Sequence, residues 1–158
     1  MNPLPAPAER VRQAAAERGL DIEIRIMPDS TRTAAEAAAV CGCSVGEIVK
    51  SLIFKGTKTG VPVLLLVSGT NRVNEKTVEN VLGEAISRPD AAFVREATGF
   101  AIGGIPPIGH ANPVRTYIDR DLLQYETVWA AAGTPHAVFR VAPGALSEAA
   151  GAEIITVT

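Results

Sequence analysis

Three stretches of this chain carry residue types that could do chemistry. Lys50 opens the run Lys50-Ser51-Leu52-Ile53-Phe54-Lys55. If that run is a strand, alternation puts Lys50 on one face with Leu52 and Phe54, and Ser51 with Ile53 on the other. An ammonium at the head of an apolar face is costly unless it reaches water or meets an anion. Two readings stay open: a strand-end lysine in solvent, or a cation at a pocket mouth awaiting a phosphate or carboxylate. The loop Gly103-Gly104-Ile105-Pro106-Pro107-Ile108-Gly109-His110 is the most distinctive segment. Its adjacent glycines allow close backbone approach, and its two prolines stiffen the second half of the loop. Such a loop could polarise a carbonyl or hold a water with main-chain groups, or simply turn the chain between layers. It has neither GxGxxG nor Walker spacing, so a nucleotide-phosphate cradle is unsupported. Asp119 closes Arg115-Thr116-Tyr117-Ile118-Asp119, and by itself reads as the cap of a short helical turn. His110 and His136 are the only histidines. Either could be a general base, yet neither has a carboxylate or cysteine at a telling spacing. No metal-ligand set and no G-x-S-x-G nucleophile elbow is visible.

The elements that must position these residues can be read from periodicity and caps. Residues 1–7 form a Pro-rich tail expected to be loose, and 8–158 are expected to form one domain. A helix is predicted over 8–18, stopped by Gly19, and a half-buried strand over 22–26. Thr33 with Glu36 makes a capping box for an Ala-rich helix ending near Gly42, and Ser44 with Glu47 repeats the device. Strands at 50–55 and 61–67 flank a Gly-bounded turn and read as a hairpin. Asn74 and Asp90 cap two further helices, stopped by Gly83 and Gly99. Strands are predicted at 114–118, 126–131 and 136–141, then a helix over 144–150 and a last strand over 153–157. Interleaved helices and hairpins imply an α/β (α+β) domain whose curved, mixed sheet is surrounded by helices. Ile53 or Phe54, Leu65 and Ile118 are expected to line or support a pocket between the Lys50 strand, the glycine loop and the strand ends near Asp119 and Ala131.

The chain is 158 residues long, enough for one domain with a real core. It is 47% hydrophobic and 20% charged, which argues against disorder. Aromatic residues are only 4%, so the core must be aliphatic. No apolar run approaches the roughly 20 residues of a membrane span, and the first residues read as neither signal nor anchor. Cys41 and Cys43 are too close for an ordinary disulfide and too few for zinc, so reduced thiols and a cytoplasmic setting are expected. The net charge is -2, without a basic cluster, so any nucleic acid would be touched over a short stretch only.

The order of these segments resembles the YbaK/EbsC family, which includes free-standing aminoacyl-tRNA deacylases and the editing domain of some bacterial prolyl-tRNA synthetases. The resemblance spans nearly the whole chain. It rests on residues 45–54 with Lys50, on residues 98–109 with a Gly-x-x-x-Pro loop at Gly103–Pro107, and on Thr116-Tyr117-Ile118-Asp119 followed by Ala130-Ala131-Ala132-Gly133-Thr134. It implies a hydrolase that clears mischarged tRNA, such as a proline tRNA bearing a small non-cognate amino acid, with neither metal nor cofactor. In family terms Lys50, Gly103 and Gly104 are the catalytic residues. Lys50 would anchor the phosphate of the terminal adenosine, and the loop would hold the aminoacyl ester. Ile105, Pro106, Pro107, Asp119, Ala131 and Gly133 would bind substrate. A hydroxyl of the adenosine, or a loop-held water, would assist attack. The partner implied is the tRNA acceptor end, with a synthetase as a possible second, no membrane, and a monomer by default. Where the Cys-clearing branch has Ser-Gly-Gly, this chain has Ala131-Ala132-Gly133, and Val138 falls at an acidic position. Pro106 and His110 also differ from that branch. A more apolar pocket is therefore expected. Two other readings remain open: a non-catalytic module of the same fold that binds aminoacyl-tRNA or a synthetase, and a small-molecule esterase or amidase using His110 or His136.

Overall fold

A computed structural model describes residues 3–158. Helix α1 (Ala6–Glu17) is followed by β1 (Ile24–Ile26), α2 (Ala34–Cys41), a 3-10 turn at Val45–Glu47, and the hairpin β2 (Val49–Gly56) and β3 (Pro62–Ser68). Then come α3 (Glu75–Leu82), β4 (Ile86–Ser87), α4 (Ala91–Thr98), β5 (Arg115–Asp119), a 3-10 turn at Arg120–Gln124, β6 (Val128–Ala131), β7 (Ala137–Val141), α5 (Pro143–Ala150) and β8 (Glu153–Ile155).

The expected mixed α/β domain is present, with its strands divided between two sheets. One has the order β4-β2-β3-β5-β8 and the other β1-β7-β6. The first is mixed: β2 pairs with β3 and β4 antiparallel, while β3–β5 and β5–β8 are parallel. The second is antiparallel throughout. A single bridge, Ile48 to Trp129, joins them at the start of β2. That junction brings the Lys50 strand beside the end of β6.

β3 shows why the larger sheet sits at the centre. Val63, Leu64, Leu65, Leu66 and Val67 are all 0% exposed. A continuous apolar run of this kind belongs to a strand covered on both faces. Leu64 and Leu66 face the main core with Val11, Ala15, Ile118, Val128 and Phe139. Leu65 and Val67 face a second core with Phe54, Val78 and Leu82 beneath α3. A third, smaller cluster of Ala37, Ala38, Ile48, Trp129 and Val138 lies under α2.

The caps read from the sequence are made. Thr33 and Glu36 form a reciprocal capping box, Asn74 accepts from the Thr77 amide and Asp90 from the Phe93 amide. Several boundaries differ from expectation. α1 begins at Ala6, with Pro7 in its first turn, where a missing N–H costs nothing. Of the predicted tail, Met1 and Asn2 lie outside the described residues, and Leu4 packs against the main core. β1 keeps only Ile24–Ile26, which pair with Phe139, Val138 and Ala137 of β7. β4 has no counterpart among the predicted elements, since two residues leave no periodicity to read. β8 stops at Ile155, and the Val157 carbonyl instead accepts the Asn74 amide at 2.7 Å. Among the described residues no helix is long and apolar enough to cross a membrane.

Leu64 tests this packing. Its replacement by alanine should cost about 2–5 kcal/mol in urea unfolding, the range for a large aliphatic deleted from a closed core. A loss well under ~1 kcal/mol would mean that β3 is not covered on both sides.

Candidate functional site

A cavity of about 370 Å³ opens where the two sheets meet. Its walls come from four places: residues 31–34 and Ala37 before and within α2, Ile48–Leu52 of β2, the loop residues Ile102, Gly103 and Ile105, and Trp129–Ala131 with Val138 on β6 and β7. Most of this lining is aliphatic or alanine. Ala131 and Val138 are cross-strand partners, so one pair of small apolar residues forms part of the wall.

Of the residues singled out in the sequence, Lys50, Gly103, Ile105 and Ala131 line this cavity. Lys50 is half-buried and its Nζ donates to the Asn71 carbonyl at 2.5 Å. Burial pushes its ammonium below the ordinary lysine range; nearby Arg72 adds to this and Asp119 opposes it. Asp119 does not line the cavity. It is 2% exposed and accepts from the Ser68 amide (3.0 Å), the Asn71 side-chain amide (2.8 Å) and the Asp121 amide (2.9 Å). Its place is behind Lys50: it fixes Asn71, and Asn71 takes the lysine.

The glycine loop divides its labour. Gly104 is buried, its amide donates to the Ala101 carbonyl and its carbonyl accepts from Gly133. A Cβ on Gly104 would lie 2.7 Å from the Thr134 backbone, so only glycine allows this seam between the loop and the end of β6. Gly133 sits in the seam with φ 96°, against the Pro7 backbone of α1. Gly103 lines the cavity at φ 102°, and its amide has no hydrogen-bond partner among the described residues. Of the two glycine amides, Gly103's is therefore the one uncommitted. Pro106 is buried, and its carbonyl is bonded to His110 Nε2 at 2.7 Å. Pro107 faces a different cavity, of about 450 Å³, shared with Arg18, His110 and Thr116.

His110 stands edge-on to Phe100 and is engaged with Pro106 rather than facing the main cavity. Burial holds its pKa below the ordinary imidazole value, against the pull of the Pro106 carbonyl, and Arg18 adds to the depression. His136 is exposed, with Nδ1 at 3.3 Å from the Met27 carbonyl. Among the expected pocket supports, Leu65 and Ile118 are fully enclosed core, and Ile53 and Phe54 line a neighbouring cavity. Val138, expected to make the pocket more apolar, does line it, whereas the residues not anticipated are Thr31, Arg32, Thr33, Ala37 and Trp129. They reach the cavity only because β1–β7–β6 folds over β2, and Thr31 is tied to the Pro135 carbonyl by amide and hydroxyl. Only the Ile48–Trp129 junction, invisible to local patterning, would have found them. No group of three His, Cys, Asp or Glu side chains fit to hold a metal occurs among the described residues.

Fold and cavity together define a single-domain α/β protein with an apolar chamber closed by a glycine loop and a lysine-bearing strand. The profile of the aminoacyl-tRNA editing domain matches residues 28–149, and the chain belongs to that family. It is 32% identical over 119 residues to the uncharacterized protein YwhH of Bacillus subtilis, covering 75% of each chain. Over 127 residues it is 26% identical to EbsC of Enterococcus faecalis, a candidate Cys-tRNA(Pro)/Cys-tRNA(Cys) deacylase, covering 80% of this chain and 77% of that one. A solved structure of a candidate trans-editing enzyme for prolyl tRNA synthetase superposes with a TM-score of 0.92 at 45% identity, covering 99% of both chains.

The depressed imidazole has a consequence for stability. With the folded pKa of His110 below the unfolded value near 6.5, the unfolded chain binds the proton first as pH falls. Stability should therefore drop as pH falls below about 6.5, before the carboxylates begin to titrate near about 4. His110→Asn should lose less melting temperature than wild type between about pH 7.5 and about pH 5.5. Equal losses in both proteins would detach His110 from the acid sensitivity.

Proposed function

We propose that this protein is a trans-acting deacylase that hydrolyses the ester of a mischarged tRNA. The observation that carries the proposal is the apolar chamber lined by both a half-buried lysine and a glycine whose amide is uncommitted. Membership of the editing family and the likeness to EbsC and to the trans-editing structure support it. The reading takes residues 8–158 as the editing domain, the tRNA acceptor end as partner and the cytoplasm as the setting.

The chemistry assigned to each residue is limited to what each can do. The aminoacyl side chain enters the chamber between Ala131, Val138 and Trp129. The ester carbonyl lies against the Gly103 amide, which stabilises the oxygen as negative charge develops. Ile105 supports the loop from inside, while Pro106, Pro107 and Gly133 hold its position and Gly104 closes the seam. Lys50 has two N–H donors beyond the one given to Asn71, and these face the negative charge of the terminal nucleotide. Asp119 acts through Asn71 to keep the ammonium in place. A water oxygen adds to the ester carbonyl while its proton passes to the free hydroxyl of the terminal ribose. The esterified ribose oxygen leaves with a proton, giving the free amino acid and a tRNA with both hydroxyls restored. No side-chain base is required, in keeping with His110 and His136 being turned to backbone carbonyls.

Editing of this kind answers a physical limit. One methylene in an apolar pocket supplies only about 1–3 kcal/mol of discrimination, so a synthetase confuses near-isosteres. A second chamber of different size multiplies the selectivity. The wall of alanine and valine fits a small, apolar aminoacyl group, and a proline tRNA is the carrier proposed.

The test is deacylation of tRNAs charged with Ala, Cys, Ser, Thr and Pro by wild type and Lys50→Ala. Selective loss of one non-cognate amino acid is expected, falling by about 100-fold or more in kcat/KM with Lys50→Ala, about 3 kcal/mol of transition-state stabilisation. Binding of the tRNAs without hydrolysis of any ester would instead make the protein a holding module of the same fold.

A further inference from the structure

The rim of the chamber carries a cation and an apolar side chain that the proposed chemistry leaves unused. Arg32 is exposed and lines the cavity. Its guanidinium makes no ion pair and no hydrogen bond among the described residues. The side chain nevertheless has a defined seat, because it lies along the glycine loop. A Cβ built on Gly103 would meet Arg32 Nε at 3.0 Å and Cγ at 3.1 Å. Neither neighbouring acid, Asp29 nor Glu36, forms an ion pair with it, and Glu36 is occupied in the capping box, where it accepts from the Thr33 amide. Ile102, next to Gly103, is 58% exposed, more than any other large hydrophobic residue described. It forms part of the wall of two cavities, so it stands at their common lip.

Lys50 is differently placed. Its Nζ is drawn to Asn71, whose side-chain amide is shared between Asp119 and Asp121. The lysine is thus an inner cation, half-buried and set near carboxylates, whereas Arg32 is an outer one, exposed and without a side-chain partner among the described residues. A planar guanidinium with free donors matches the paired oxygens of a phosphate. An exposed aliphatic surface beside it matches the face of a nucleobase.

We propose that Arg32 and Ile102 form an outer clamp for the 3′-terminal nucleotide, with Arg32 on the phosphodiester that joins it to the rest of the strand and Ile102 under its base. The clamp rests on the deacylase reading, and it adds a second, exposed contact outside the chamber. It also accounts for how a chain of net charge -2 holds nucleic acid without a basic face: Lys50 from inside and the seated Arg32 fork from outside meet the strand end. Because Arg32 lies on Gly103, a phosphate seated there would also press the loop that carries the uncommitted amide.

The test compares two substrates bearing the amino acid that the wild type removes: the charged tRNA, and an aminoacyl ester of adenosine that has no phosphate. Arg32→Ala should raise KM for the tRNA about tenfold, the loss of one charge-assisted contact, with kcat little changed. It should leave the phosphate-free ester within twofold. Arg32→Lys should recover part of the loss, having the charge without the fork. Ile102→Ser should raise KM for both substrates, since both contain the base. Binding of uncharged tRNA, followed by fluorescence anisotropy, gives a readout independent of turnover. Arg32→Ala should lower the slope of log affinity against log salt by about one. An Arg32→Ala protein that loses both substrates equally, or neither, would overturn the clamp. Hydrolysis that persists with unchanged tRNA affinity in Arg32→Ala would leave the deacylase standing and remove the clamp. Arg32-dependent tRNA binding with no hydrolysis by wild type would do the reverse. Absence of both binding and hydrolysis in wild type would remove both.

Discussion

A carboxylate that is 2% exposed must be surrounded by donors, and Asp119 is met by the amides of Ser68 and Asp121 and the side chain of Asn71. An unsatisfied buried group of this kind costs about 1–3 kcal/mol or more, so the three segments are held to one geometry. Asp119 ends β5, Ser68 ends β3, and Asn71 begins the chain's return toward α3. The parallel register of β3 and β5 brings Asp119 to the end of β3, where its carboxylate takes the Ser68 amide. Lys50, across the hairpin from Val67, then finds the Asn71 carbonyl at a fixed distance. The position of the Lys50 ammonium thus follows from a buried acid that does not line the cavity.

The opposite wall depends on a different device. Gly104 and Gly133 are joined by a main-chain hydrogen bond, and each is packed against backbone that leaves no room for a side chain. His110 completes the loop from behind by taking the Pro106 carbonyl. The two walls are built from independent parts, one ionic and one steric. The Ile48–Trp129 bridge and the aliphatic core behind it hold them together.

How much could be read from the sequence depends on how local each signal is. Capping boxes at Thr33 and Ser44, the caps Asn74 and Asp90, and the alternation around Lys50 are decided within a few residues, and each corresponds to an element found. The lengths of β1 and β8 were not legible, because they are set by partners distant in sequence. Nor was the division into two sheets, which depends on one bridge. For the site, the glycine loop announced itself through composition, whereas Arg32 and Trp129 are ordinary residues in unremarkable contexts. Asp119 shows the converse: its sequence context marked it as a cap, which it is for the Asp121 amide, but its larger tie to Asn71 spans 48 positions.

The cross-strand pair Ala131 and Val138 forms part of the chamber's wall from a single rung of the β6–β7 ladder. Neither residue takes part in the Asp119 network or in the Gly104 seam. Exchanging a methyl for a larger group at one partner, and the reverse at the other, would move the chamber wall while leaving the backbone where it is. The volume of the chamber can therefore be changed through compensated pairs without disturbing the two devices that hold its walls. Divergent specificity within such a family is then a matter of side-chain volume at one hairpin, inherited separately from the reaction itself.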